Sequence, residues 1–152
     1  MKARLDAMQL VPEAYKALCG LQDYVDGCGL EHSLLELIKT RASQINGCAY
    51  CIDMHTRDAR KAGESEARLY LLSAWRESPL YTDRERAALA WTEALTLVAE
   101  THAPDEVYEE ARAQFSEAEL VRLTVAIGMI NTWNRIAIGF RMIHPVRTEV
   151  SA

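Results

Sequence analysis

Apolar and polar residues repeat along this chain with the period of α-helices. After Pro12, which suits the first position of a helix, apolar residues recur three and four positions apart as far as Val25. Residues 26–29 interrupt this pattern, and the spacing then predicts a second helix from about Glu31 to Ile45. Sustained alternation of single apolar and polar residues, which would indicate strands, does not occur. The pattern therefore favours an all-α fold.

Five further helices complete the predicted architecture. They are expected at about 48–63, 65–75, 82–98, 104–115 and 116–142. Thr82 with Glu85, and Ser116 with Glu119, have the spacing of capping boxes at helix starts. We therefore predict a single-domain bundle of about six or seven helices spanning residues 1–152. Its core should cover about residues 12–146, followed by a disordered tail.

Composition and charge narrow the class of protein. The chain has 152 residues, 49% of them hydrophobic, a formal net charge of −5 and a pI of about 5.4. A chain of this length can bury one core of its own. Because it is acidic and has no basic stripe, we expect no nucleic-acid partner. No secretory signal is visible in the sequence, and no apolar stretch approaches the roughly 18 residues of a membrane span, so we expect a cytoplasmic protein with no membrane partner.

The run from Asn46 to His55 contains the strongest chemical signal. Asn46-Gly47 is a turn sequence, so a helix should begin at or just before Cys48. Cys48, Cys51 and His55 are spaced three and four residues apart and should share one helix face. The positive end of the helix dipole favours a thiolate there, and His55 can accept a proton. These features predict thiol redox chemistry.

Glu36 is the candidate for a carboxylate that orients His55. Antiparallel packing across the Asn46-Gly47 turn would place Glu36 and His55 at comparable depth, because each lies roughly 10 to 15 Å of helix from the turn. In the same helix, Lys39 has the more clearly outward position. The alternative is that Glu36 is only a surface acid.

The two cysteines should have different roles. Cys51 is four residues from His55, so we expect it to be the thiolate that attacks a hydroperoxide. Cys48, expected nearer the exposed turn, would then form the disulfide with Cys51. An external dithiol would regenerate the site at the more exposed sulfur. The hydroxyl of Tyr50 could join a proton relay or only pack beside the thiols.

Three alternatives stay open. Zinc could be bound if Cys28 and His32 joined the CxxC as further ligands. The cysteines could instead form a redox sensor that does not turn over, or be small buried residues.

The last helix has two further features. Trp133-Asn134-Arg135 forms a polar and aromatic cluster that could line a pocket or an interface. The last helix is apolar on more than one face, which favours burial against a second copy in a homo-oligomer.

The spacing of Glu36, Cys48, Cys51 and His55 resembles the signature of AhpD-like alkylhydroperoxidases, within the carboxymuconolactone decarboxylase superfamily. Residues 58–63 and 133–136 also resemble that group, and the likeness covers about residues 12–146. The resemblance implies an all-helical fold, trimers or hexamers, and a peroxidase cycle through the CxxC. It also implies a proton relay through Glu36 and His55, with no metal or organic cofactor.

This chain differs from the pattern of that family at one position. The best-studied peroxidases of this family have a histidine between the cysteines, where this chain has Tyr50. Their reductant is a lipoylated dithiol protein, which leads us to expect a dithiol protein partner here. The decarboxylases of the superfamily lack the cysteine pair, so the resemblance favours peroxide reduction over decarboxylation of a ring lactone.

Overall fold

Helical periodicity and well-placed caps divide residues 1–145, the part of the chain that the computed structural model describes, into nine α-helices and one 3₁₀ helix. The α-helices are α1 (Ala7–Leu10), α2 (Pro12–Asp26), α3 (His32–Asn46), α4 (Ala49–Lys61), α5 (Glu66–Leu71), α6 (Asp83–Thr96), α7 (Val98–Thr101), α8 (Asp105–Gln114) and α9 (Glu117–Phe140). The 3₁₀ helix, Leu72–Glu77, follows α5. Residues 1–145 contain no strand, so the predicted all-α class is confirmed. The expected tail after Val146 lies outside the described residues.

The helix count exceeds the six or seven predicted, for local reasons. Helices α1 and α7 have four residues each, which is too short for apolar periodicity to reveal them. The predicted helix at 65–75 is α-helical only to Leu71, and its continuation contains a non-helical residue, Ala74. Helix α9 ends at Phe140, before Met142, because Arg141 adopts a left-handed conformation with φ of 54°.

Both predicted capping boxes are confirmed. Thr82 accepts the backbone N–H of Glu85, whose carboxylate accepts the N–H of Thr82 in return. Ser116 and Glu119 make the same reciprocal pair at the start of α9. Each box satisfies two backbone donors that a helix start otherwise leaves unpaired.

Glu119→Gln is expected to lower the free energy of unfolding by about 1 kcal/mol at neutral pH, because the carboxylate is a charged acceptor at a helix N-terminus. Hydrogen bonds from the backbone and side chain of Ser116, with further help from Arg84, lower the pKa of Glu119 to about 2. The stabilisation is therefore present above the ordinary pKa of 4.5 and is lost as pH falls towards 2.

Urea unfolding of wild type and variant, measured from neutral pH down to acid, tests this expectation. The difference in the free energy of unfolding between wild type and variant should disappear in acid, where the wild-type carboxyl group is also neutral. Glu109→Gln, a change at an exposed position of α8, is the control and should cost less than about 0.5 kcal/mol. A difference that persisted unchanged in acid would contradict the assigned role of the charge.

Helix α3 is the central element of the bundle and packs against α4, α6 and α9. Its residues Leu34, Leu35 and Ile38 are almost fully buried in the main hydrophobic core. Among residues 1–145, no helix combines the length and apolar character needed to cross a bilayer. Because α3 and α4 pack side by side and are joined by a short turn, residues on their facing sides come together, and these include the predicted site residues.

Candidate active site

The turn between α3 and α4 places the two cysteines. Gly47 adopts a left-handed conformation with φ of 71°, which ends α3 and which L-residues rarely adopt. The backbone N–H of Cys48 donates to the carbonyl of Ser43 at 2.9 Å. Cys48 is the N-cap of α4, and its sulfur accepts the N–H of Cys51 at 3.3 Å. The predicted helix start is therefore confirmed. The positive dipole at this N-terminus of α4 favours negative charge on Cys48.

The sulfur atoms of Cys48 and Cys51 lie within disulfide-bonding distance, with their Cα atoms 5.4 Å apart. Both residues are buried, with exposed fractions of 1% for Cys48 and 2% for Cys51. The expectation that Cys48 is the more exposed cysteine is wrong, because the pair packs against Ala137 of α9 and is covered there. Only Cys51 of the two lines the neighbouring cavity, so the site can be approached at Cys51.

His55 and Glu36 form a buried pair across α3 and α4. Nδ1 of His55 lies 2.9 Å from Oε2 of Glu36, and the exposed fractions of the two residues are 5% and 4%. The alternative that Glu36 is a surface acid is wrong. His55 lies one turn after Cys51 on α4, and both line the cavity. The predicted cysteine, histidine and glutamate therefore come together.

Lys39 extends this pair into a chain of charges that sequence reasoning missed. Its Nζ lies 3.2 Å from Oε1 of Glu36 and 2.9 Å from Oδ1 of Asp26. The expectation that Lys39 points outward is wrong, since its exposed fraction is 1%. Because Glu36 and Lys39 are three residues apart on one helix, their spacing alone could have predicted the contact between them. The second partner, Asp26, is the last residue of α2, and the helical spacing within α3 gives no sign of this contact between helices.

Opposing effects set the protonation of the two carboxyl groups. Burial alone would raise the pKa of Glu36, but its hydrogen bonds and charge interactions with His55 and Lys39 outweigh burial and hold it below its ordinary value. Burial likewise opposes ionisation of Asp26, and hydrogen bonds from Gln22 and Lys39 lower its pKa overall. Both groups are therefore anionic at neutral pH.

A cavity of about 690 Å³ opens beside Cys51. Apolar and aromatic side chains form much of its wall, namely Met8, Tyr15, Met54, Trp133, Ala137 and Met142. The rings of Tyr15 and Trp133 meet edge to face with centroids 5.6 Å apart. Polar and charged side chains, including those of Asp26 and Lys39, line most of the remainder. The cavity is thus suited to a small molecule with an apolar body and a polar reacting end.

Tyr50 lines the same cavity and packs against the cysteine pair. Its position is compatible with both roles left open by the sequence. Trp133, from the predicted aromatic and polar cluster, is on the cavity wall, so that part of the cluster lines a pocket. Its neighbour Arg135 instead donates to the carbonyl of Asn131 within α9.

Asn134 ties α9 to the turn that carries the cysteines. It is fully buried, and its Nδ2 donates to Oγ of Ser43 at 3.0 Å. Nδ2 of Asn46 donates to Oδ1 of Asn134 at 2.8 Å and to Oδ1 of Asn131 at 2.9 Å. Buried amides with all these partners rigidify the turn between α3 and α4. Apolar periodicity alone cannot reveal this network, because its members lie on distant segments.

The four residues of the zinc alternative do not assemble. Cys28 lies in the main hydrophobic core, whereas Cys48 and Cys51 form a separate cluster with Ala137. Within the described part of the chain, no group of three or more His, Cys, Asp or Glu residues is arranged to hold a metal ion.

Comparison with known proteins places this geometry in a family. The model of the carboxymuconolactone decarboxylase family matches residues 12–94. The chain is 44% identical over 138 residues to the uncharacterized protein YdfG of Bacillus subtilis (strain 168), covering 91% of this chain and 94% of that protein. The chain therefore belongs to the carboxymuconolactone decarboxylase family, and within it to the AhpD-like members.

Solved structures agree with this placement. A protein of unknown function from Agrobacterium tumefaciens, ATU0492, described as a candidate antioxidant defence protein AhpD, has 55% identity and a TM-score of 0.94. The match covers 96% of this chain and all of that one. The debrominase Bmp8 has the same fold at 21% identity, with a TM-score of 0.80 over 91% of this chain and 75% of its own.

Proposed function

We propose that this protein is a thiol-dependent peroxidase that reduces alkyl hydroperoxides or hydrogen peroxide in antioxidant defence. One observation carries the proposal. Cys51 lines a cavity together with the buried pair of His55 and Glu36, and Cys48 lies within disulfide-bonding distance behind it. This arrangement supplies a nucleophile, a base with its orienting carboxylate, and a second thiol.

The first half of the cycle oxidises the cysteine pair. The Cys51 thiolate attacks the terminal oxygen of ROOH, the O–O bond breaks, and the leaving RO⁻ takes a proton to become ROH. Cys51 is then a sulfenic acid. The thiolate of Cys48 attacks its sulfur, forming the disulfide and releasing hydroxide, which takes a proton to become water. One hydroperoxide and two thiols thus yield one alcohol, one water and one disulfide.

His55 is the proposed proton carrier. It accepts the proton of Cys51 and returns one to the leaving oxygen, and Glu36 keeps its ring oriented. Tyr50 packs against the cysteine pair, and we propose its hydroxyl as a further proton donor. The apolar part of the cavity wall would hold the organic group of an alkyl hydroperoxide.

Regeneration needs a dithiol protein, which we propose to act in the cytoplasm. Because Cys51 and not Cys48 lines the cavity, a thiolate of the reductant would attack the sulfur of Cys51. Cys48 would then leave as a thiolate, which the N–H of Cys51 and the start of α4 stabilise. The second thiol of the reductant would release Cys51, leaving the reductant as a disulfide.

A free-thiol count before and after one equivalent of cumene hydroperoxide tests the proposal. The reduced chain has four cysteines, and we expect loss of two thiols, mapped to Cys48 and Cys51 and restored by dithiothreitol. A parallel arm with hydrogen peroxide compares the substrates, and steady-state turnover with a dithiol separates an enzyme from a redox sensor. Unchanged thiols, or oxidation without turnover, would overturn the peroxidase assignment.

We further propose that the chain works as a homo-oligomer, a trimer or a hexamer. In the single chain, Val121 and Ile138 of α9 have exposed fractions of 64% and 43%. Leu97 and Val98 are also exposed apolar residues. A second copy would remove such surface from water. Sedimentation velocity should give a mass of three or six chains, and a monomer at micromolar concentration would contradict the proposal.

A further inference from the structure

Lys39 is the least expected residue beside the cavity, because a lysine is rarely buried completely. Its side chain has 2% exposure, and its ammonium contacts two carboxylates from different helices. The Asp26 side chain is 46% exposed, whereas that of Glu36 is 5% exposed. One end of this chain of charges therefore meets solvent, and the other reaches His55.

The two oxygens of Glu36 have different partners. Oε1 accepts from Lys39 at 3.2 Å, and Oε2 lies 2.9 Å from Nδ1 of His55. Because Lys39 holds one oxygen, the carboxylate cannot rotate away from the imidazole without losing a buried charge contact. With Nδ1–H donating to Glu36, the other ring nitrogen of His55 is left to exchange protons at the site.

We propose that Lys39 is a positioning residue that keeps Glu36 ionised and aligned on His55, and so sets the pH range in which Cys51 is a thiolate. The inference rests on the proposed role of Cys51 as the reacting thiol. A buried ammonium contributes positive charge to the cavity in which that thiolate forms. It also stabilises the anion on which the orientation of His55 depends.

Other titratable groups line the cavity and must be considered with this chain. They are Tyr15 and Cys19 on α2, His32 on α3, and Tyr50, Asp58 and Lys61 on α4. Lys61 is the other lysine among them, and its side chain is 70% exposed, so water screens its charge. Removing the charge of Lys39 should therefore change the pH at which Cys51 ionises more than removing that of Lys61.

A change of Asp26 should shift the pH at which Cys51 becomes a thiolate in the direction opposite to a change of Lys39. Its carboxylate balances part of the positive charge of Lys39, at 2.9 Å. Lys39→Met removes positive charge and should move thiolate formation at Cys51 to higher pH. Asp26→Asn removes negative charge and should move it to lower pH. A role in packing alone would not produce opposite shifts from two members of one contact.

The experiment follows alkylation of Cys51 by iodoacetamide as a function of pH in the reduced full-length protein, using peptide mass spectrometry. We expect Lys39→Met to raise the midpoint by about one pH unit or more and Asp26→Asn to lower it by a smaller amount. Lys61→Met is the matched control, and its midpoint should move by less than about 0.3 unit because its charge is solvated.

The proposal is overturned if Lys39→Met leaves the midpoint unchanged, if Asp26→Asn and Lys39→Met shift it in the same direction, or if Lys61→Met shifts it as much as Lys39→Met. Should Lys39→Met fail to fold by circular dichroism, Asp26→Asn decides: a lower midpoint supports the proposal, and an equal or higher one refutes it. Alkylation needs no peroxide. A protein that shows these shifts but loses no thiols to hydroperoxide would refute the peroxidase function and leave the role of Lys39 standing.

Discussion

Cys51→Ser is expected to slow peroxide-dependent oxidation of the site by at least about a thousandfold, because a serine hydroxyl is not ionised at neutral pH and cannot replace the attacking thiolate. Cys51 is the member of the pair that lines the cavity, so Cys48 has no direct approach for a hydroperoxide. Stopped-flow mixing with cumene hydroperoxide, followed by counting the remaining thiols, measures the effect.

Cys48→Ser should behave differently, and this contrast makes the prediction specific. Cys51 should still react with hydroperoxide, but the sulfenic acid should persist because the second thiol is absent, and dimedone should label it at Cys51. Cys28→Ala, a change in the main core, is the matched control and should leave both steps intact. Sulfenic acid appearing on Cys48 in Cys51→Ser at the wild-type rate would show that the assigned roles are reversed.

Helix periods and caps made most of the fold predictable from the sequence. The interruption at residues 26–29, the turn at Asn46-Gly47 and the two capping boxes are local signals, and the helices that follow begin within three residues of them. The short helices α1 and α7 were missed because four residues cannot display a helical period.

The meeting of Glu36, Cys51 and His55, which lie on α3 and α4, was predictable from the sequence. Glu36 and His55 could be related because a short turn joins the two helices and their depths could be compared. The burial of Cys48 depends on Ala137, and the anchoring of the turn depends on Asn134, both on α9. Contacts at such sequence separation follow from packing of the whole bundle, which periodicity along one helix does not specify.

The burial of Lys39 also could not be predicted from the pattern within one helix. A lysine is usually placed on the outer face of a helix, because burying an ammonium without a partner is costly. Here Asp26 on α2 and Glu36 on α3 together supply the partners, so burial becomes possible. The local pattern was therefore misleading where a tertiary contact determined the outcome.

Glu36→Gln is the second large effect that we expect, and it should appear in both activity and stability. The amide is neutral, so His55 loses its anionic partner and Lys39 loses the buried one of its two carboxylates. Oxidation of the thiol pair should slow by about a hundredfold, as for loss of an oriented base. The free energy of unfolding should fall by about 3 kcal/mol, the lower end of the cost of breaking a buried ion pair.

The pH dependence distinguishes loss of this charge from a general packing defect. The pKa of Glu36 in the folded protein lies below its ordinary value of 4.5, so its charge stabilises the protein above that pH. As pH falls from 4.5 through the lower pKa of the folded protein, this stabilisation is lost, and the difference from Glu36→Gln in urea unfolding should shrink. Glu109→Gln serves as the exposed control at every pH. A stability loss independent of pH would mean that the amide disturbs packing, and unchanged oxidation kinetics would remove Glu36 from the proton relay.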